Sequence, residues 1–98
     1  MRKLKKFEAS EYLHNKRRRA AYLSAALETG DPDFMLDALL AVAKSQGVGR
    51  TAREAKVTRT SLYKALGESG NPKFRTVIKV LGALGLKLSA RPKQMEDA

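Results

Sequence analysis

The sequence lacks cysteine altogether and contains a single histidine. Without cysteine, a disulfide scaffold, a thiolate zinc site and a cysteine nucleophile are all excluded. No Ser/His/Asp set or metal-ligand cluster can be assembled around the one histidine, His14, so we expect it to be a surface or partly packed side chain. The acidic residues Asp31, Asp33 and Asp37 lack the spacing of a calcium-binding EF-hand, and helix capping explains them better. We therefore expect neither an enzyme nor a bound cofactor or metal.

Long apolar segments are also absent. No apolar run approaches the roughly 18 residues that a helix needs to span a bilayer. The segment Met1–Lys6 is basic, but it is not followed by the apolar stretch of a secretory signal. The lack of cysteine fits a reducing compartment, so we expect a cytoplasmic protein. A chain of 98 residues with 43% hydrophobic side chains suits one packed domain, 1–98.

The sequence has a large excess of positive charge. Its net charge is +10, from 20 Lys and Arg against 10 Asp and Glu. The excess is segregated: residues 1–19 carry +6, residues 20–47 carry −3 and residues 48–98 carry +7. A charge excess used only for solubility has no reason to segregate in this way, so the pattern favours a polyanionic partner. A basic surface without a partner remains the alternative.

Helical periodicity and capping signals predict an all-α fold. Asn15 is a typical N-cap, and the pairs Asp31-Pro32 and Asn71-Pro72 combine an N-cap with a proline at the first helical position. Gly47 and Gly49 are expected to separate the second helix from the third. Five helices are predicted, with a short helical turn at 5–13 as a possible sixth: 16–29, 32–46, 50–56, 59–66 and 72–83.

The segment Arg50–Leu66 predicts a helix-turn-helix. Ala52 and Ala55 provide the small residues at which a second helix can cross the first, and Val57 plugs the turn. Thr58 caps the second helix, because its hydroxyl can accept the backbone N–H of Ser61. A corner of this kind lets one helix enter the major groove of DNA, with side chains near its N-terminus reaching the base edges.

The outward residues of this corner are the candidate DNA contacts. Each cation alone is best explained as a solvated surface charge, but several cations and hydroxyls on one capped helix pair favour DNA. The residues expected to read bases are Arg59, Thr60, Tyr63 and Lys64. The residues expected to contact phosphates are Arg50, Thr51, Arg53 and Ser61.

The segment Leu86–Ala90 changes period. Its apolar residues Leu86, Leu88 and Ala90 alternate with polar ones, which is typical of a strand. A lone strand leaves its backbone groups unpaired, so we expect it to pair with the same strand of a second subunit in a homodimer. An irregular tail with chance alternation is the alternative.

Three segments carry a family resemblance: Thr51–Leu66 (TAREAKVTRTSLYKAL), Gly70–Phe74 (GNPKF) and Thr76–Leu88 (TVIKVLGALGLKL). Together with FEASEYL, AYLSAALE and GDP upstream, they resemble the HigA-like addiction-module antidote (antitoxin) family with an Xre/lambda-repressor-like helix-turn-helix. The resemblance covers roughly residues 7–91. It implies a lambda-repressor-like core at about 33–85, an N-terminal helical extension at 7–29 and a dimer strand at 86–90.

The resemblance also implies function. A member of this family would bind its own operator as a dimer, repress a toxin–antitoxin operon and neutralise a small RelE/ParE-like toxin. The family's DNA-reading positions fall on Arg59, Thr60, Tyr63 and Lys64, with Ser61 at the helix start. A phage-type regulator without a toxin, and a protein-interaction module that does not bind DNA, are the alternatives.

Two departures from the family pattern stand out. Lys56 occupies the position of the usual turn glycine, where a positive φ costs a non-glycine residue about 1 kcal/mol. The run Asn15–Arg19 is strongly basic where the family is often acidic. This run either changes the toxin-facing surface or adds phosphate contacts.

Overall fold

Five α-helices account for most of residues 13–93, the part of the chain that the computed structural model describes. They are α1 (Lys16–Glu28), α2 (Pro32–Gln46), α3 (Val48–Ala55), α4 (Arg59–Leu66) and α5 (Phe74–Ala83). The all-helical prediction is confirmed for these residues. The helical turn predicted at 5–13 lies outside the described residues except for Leu13, so a sixth helix is not shown. No helix within residues 13–93 has the length and apolar character needed to cross a membrane.

Local capping starts the first two helices where the sequence predicts. The side-chain oxygens of Asn15 and Asp31 each accept backbone N–H groups two and three residues ahead, at 2.8–3.3 Å. The start predicted for the last helix is wrong. α5 begins at Phe74 rather than Pro72, and its N-cap Lys73 is extended with no side-chain cap. Pro72 instead lines a groove together with residues of α1 and α2, and it precedes the first helical turn.

The core is built from one apolar face of each helix. α3 packs on α5, α1 packs on α2, and α2 also contacts α3 and α4. Leucines and valines at helical spacing are the main large side chains of this core. The helix pair α3–α4 packs on the same core as the other helices. The largest fully buried apolar residues are Leu13, Leu39, Val42, Leu62, Leu66, Val80 and Leu84.

A buried arginine forms hydrogen bonds to three separate segments around this core. Arg19 on α1 is only 6% exposed. Its Nε donates to the carbonyl oxygen of Leu13 at 2.6 Å, and its Nη1 donates to Gln46 Oε1 at 3.2 Å and to the carbonyl oxygen of Leu84 at 3.3 Å. Burial, and to a lesser degree the nearby charge of Arg50, lowers the pKa of Arg19. Helix α1 is thereby joined to the ends of α2 and α5.

The strand predicted at Leu86–Ala90 is absent from the single chain, where this segment is irregular. Leu86 is partly buried against the core, and its N–H donates to the carbonyl oxygen of Leu81 at 2.9 Å. Beyond it, Arg91 forms an exposed ion pair with Glu28 at 3.2 Å. The physical reason is that a strand needs a neighbouring strand for its backbone hydrogen bonds, and residues 13–93 contain no second strand.

Candidate nucleic-acid interface

The turn between α3 and α4 has the left-handed residue that the family resemblance implies. Lys56 adopts φ 61° and ψ 43°. The N–H of Val57 donates to the carbonyl oxygen of Ala52 at 2.9 Å, which closes the end of α3. A lysine in this conformation costs about 1 kcal/mol relative to glycine. The hydrogen bond and the half-buried Val57 hold the turn in place despite that cost.

The start of α4 is capped as predicted. Thr58 Oγ1 accepts the backbone N–H of Ser61 at 2.9 Å, and its hydroxyl donates to Ser61 Oγ at 2.8 Å. Ser61 Oγ acts here as an acceptor, so its own proton stays available for another oxygen. The cap fixes the direction of α4 and keeps the exposed Ser61 hydroxyl at its first turn.

Helix α4 has one face in the core and one in solvent. Leu62 and Leu66 are fully buried. The four predicted base-reading residues are all exposed, and Tyr63, the largest, is 43% exposed. At 100° per residue they occupy an arc of about 140° on the helix surface, which contains neither buried leucine. The structure therefore brings together Arg59, Thr60, Tyr63 and Lys64.

Arg59 also contacts α3, a feature that the sequence analysis missed. Its guanidinium lies directly over Gly49, where an added Cβ would collide with Arg59 Nη2 and lie 3.4 Å from Arg59 Cζ. The prediction that Gly49 breaks the helix is wrong, because Gly49 lies inside α3. Gly47, with φ 111°, separates α2 from α3. The missing side chain at Gly49 thus makes room for Arg59 across the corner.

The predicted phosphate contacts on α3 divide into two groups. Arg50 and Arg53 are exposed, and Arg50 Nε pairs with Glu54 Oε2 at 3.2 Å. Thr51 is 0% exposed. Its hydroxyl donates to the carbonyl oxygen of Ala43 at 3.4 Å and accepts from Gln46 Nε2 at 3.1 Å. The prediction that Thr51 contacts a phosphate is therefore wrong, because its side chain holds α3 against α2.

The exposed face of the corner carries cations and hydroxyl groups. Within residues 13–93, no group of three or more His, Cys, Asp or Glu side chains is placed to hold a metal ion. The surface presents guanidinium and ammonium donors together with hydroxyls, which suits phosphate oxygens and base edges.

Comparison with known proteins identifies the family. Residues 3–92 match the model of a family described as "Probable addiction module antidote protein". An uncharacterized protein of Haemophilus influenzae is 36% identical over 88 residues, covering 90% of this chain and 91% of the relative. No solved structure matches the chain. The family match covers nearly the whole sequence, so the chain belongs to the family of probable addiction module antidote proteins.

Proposed function

We propose that the protein is the antitoxin of a type II toxin–antitoxin module and represses its own operon by binding operator DNA. The observation that carries the DNA-binding part is the exposed face of α4. Four side chains able to contact bases or phosphates stand on a helix that is capped by Thr58 and anchored by two fully buried leucines. That arrangement matches the dimensions of the major groove, which admits one helix.

The residues of this face have distinct proposed roles. Arg59 binds a guanine through O6 and N7, and Thr60 and Lys64 contact neighbouring base edges. Tyr63 stacks on a sugar or donates to a phosphate. Arg53, Ser61 and Arg50 contact phosphates; Arg50 does so by exchanging its exposed pairing with Glu54, which is worth little in solvent.

Two copies would bind together. Pairing of Leu86–Ala90 with the same segment of a second subunit would give this irregular segment the hydrogen-bond ladder that it lacks in the single chain. Leu88 is 37% exposed, and Ala90 is exposed, so this edge is accessible. Such a dimer would place two α4 helices on half-sites about 10 base pairs apart, one turn of the duplex.

Footprinting of the promoter of its own operon tests DNA binding. We expect Arg59→Ala to weaken operator binding by about tenfold or more and to relax specificity at one base pair, since a bidentate contact is worth about 1–3 kcal/mol. Arg53→Ala should weaken all duplexes alike. Arg91→Ala, an exposed arginine bound to Glu28, is the control. Wild-type footprints from both variants would refute the groove assignment, and a single protected half-site would refute the dimer.

The family implies a toxin partner, and we propose that this partner is a small RelE/ParE-like protein. Co-expression with the product of the neighbouring reading frame tests this part. We expect that product alone to arrest growth and the two proteins together to restore it and to copurify. The variant Arg59→Ala should still restore growth, because it alters the DNA-reading face. Growth arrest that this chain does not relieve would contradict the antitoxin role.

A further inference from the structure

The first turn of α1 carries an unusual concentration of positive charge. Lys16, Arg17 and Arg18 are consecutive and exposed, and this turn has no acidic residue. Cations at the positive end of a helix dipole oppose the stability of the helix. By contrast, α2 has Asp33 in its first turn, as the dipole favours. The basic turn is thus set against local stability, which is typical of residues kept for binding.

Ion pairing within residues 13–93 does not account for the charges of Lys16 and Arg17. The ion pairs among residues 13–93 join Arg50 to Glu54 and Arg91 to Glu28. Neither pair includes Lys16 or Arg17. The stem of Lys16 lies against the backbone of Gly85, where an added Cβ would come within 2.8 Å of Lys16 Cε. Its position against α5 is therefore defined, while the side chain as a whole remains exposed.

The basic turn is structurally connected to the α3–α4 corner. Arg19, at the end of the same basic run, donates to Gln46, and Gln46 Nε2 donates to Thr51 on α3 at 3.1 Å. Arg50 precedes Thr51, faces solvent and lies close enough to lower the pKa of Arg19. Gly49, the residue before Arg50, lies where an added Cβ would meet the guanidinium of Arg59. These contacts link the start of α1, the start of α3 and the start of α4.

We propose that Lys16 and Arg17 bind backbone phosphates of the same duplex that α4 reads, so that the DNA interface extends from the corner onto the first turn of α1. This extension presupposes that the α3–α4 corner binds DNA. Its partner is duplex DNA rather than an acidic protein because the hydrogen bonds of Arg19 and Gln46 place this basic turn next to the start of α3, which carries the proposed phosphate contact Arg50. Each strand of the duplex carries one phosphate about every 3.4 Å along the helix axis, so neighbouring cations have phosphates within reach.

The salt dependence of binding tests this extension. Anisotropy of a labelled operator duplex and of a scrambled duplex is measured from 50 to 200 mM KCl. The slope of log affinity against log salt is negative. Loss of two phosphate contacts should reduce its magnitude by about 1.8. We expect the double variant Lys16→Ala/Arg17→Ala to show that loss and to bind both duplexes about tenfold more weakly at 100 mM, while the preference for the operator is retained.

The matched control removes two charges elsewhere. The double variant Arg91→Ala/Lys93→Ala has the same net charge as Lys16→Ala/Arg17→Ala. Its Arg91 pairs with Glu28 at the opposite end of α1. Glu28 lies about 18 Å from Lys16 along the helix, at 1.5 Å per residue. We expect it to keep the wild-type slope. Equal slopes for the two double variants would overturn the extension, while an altered specificity of Arg59→Ala would still support the corner. A wild-type protein that binds neither duplex would overturn both.

Discussion

Replacement of Arg19 by alanine is expected to lower the free energy of unfolding by about 2–4 kcal/mol. The change removes the donor of three hydrogen bonds and leaves the carbonyl oxygens of Leu13 and Leu84 without that partner inside the core. A buried acceptor left unsatisfied costs about 1–3 kcal/mol. Because a domain is stabilised by only about 5–15 kcal/mol, this loss is a large fraction of the total. Urea unfolding followed by circular dichroism measures it.

The neighbouring arginine provides the control for this experiment. Arg17 lies on the same helix two residues earlier but is exposed, so Arg17→Ala should change the unfolding free energy by less than about 0.5 kcal/mol. Arg19→Lys should recover only part of the loss, because an ammonium keeps the charge but lacks the planar fork of a guanidinium. If Arg19→Ala and Arg17→Ala unfold at the same urea concentration, the buried hydrogen bonds do not stabilise the fold.

Replacement of Gly70 by alanine should destabilise the fold by about 1–3 kcal/mol, in the range of an overpacked interior. A Cβ at Gly70 would collide with the carbonyl oxygen of Ala65 and lie 2.9 Å from that of Gly67. Both are backbone atoms, so no side-chain rotation relieves the collision. Ala65 belongs to the last turn of α4, and the strain therefore reaches the DNA-reading helix. Thermal unfolding and duplex binding should both weaken.

Replacement of a second glycine, Gly82, distinguishes the steric effect at Gly70 from the general effect of replacing glycine by alanine. Gly82 lies inside α5, and an added Cβ there meets nothing within 4 Å. Alanine is favoured over glycine in a helix by about 1 kcal/mol, so Gly82→Ala should raise the unfolding temperature. Opposite shifts of the two variants are expected. Shifts of the same sign would show that close approach to Ala65 is not what requires glycine at position 70.

Local signals in the sequence were sufficient to predict most helix boundaries. Asn15, Asp31 and Thr58 cap the helices that follow them because a short polar side chain reaches the free N–H groups of the next turn. The left-handed conformation of Lys56 agrees with the family resemblance, which places a glycine at this position of the turn. The exposed arc of α4 follows from the spacing of its two buried leucines.

Long-range packing was not predictable in the same way. The basic run Asn15–Arg19 suggests a solvated surface, yet Arg19 is buried because its acceptors are supplied by residues that are distant in sequence. Thr51 seemed available for phosphate, but the end of α2 covers it. Gly49 contacts Arg59 only once the corner has formed. In each case the deciding partner lies on another helix, where single-residue propensities carry no information.

The contact between Arg19 and Leu84 also sets an order of events during synthesis. The acceptor of Arg19 Nη1 lies 65 residues further along the chain. At roughly 5–20 residues per second, a ribosome needs about 3–13 s to add those residues. Helix α1 can form its own turns during that interval, but it cannot complete its hydrogen bonds to the rest of the domain. The nascent chain can therefore reach its native form only after Leu84 has been added.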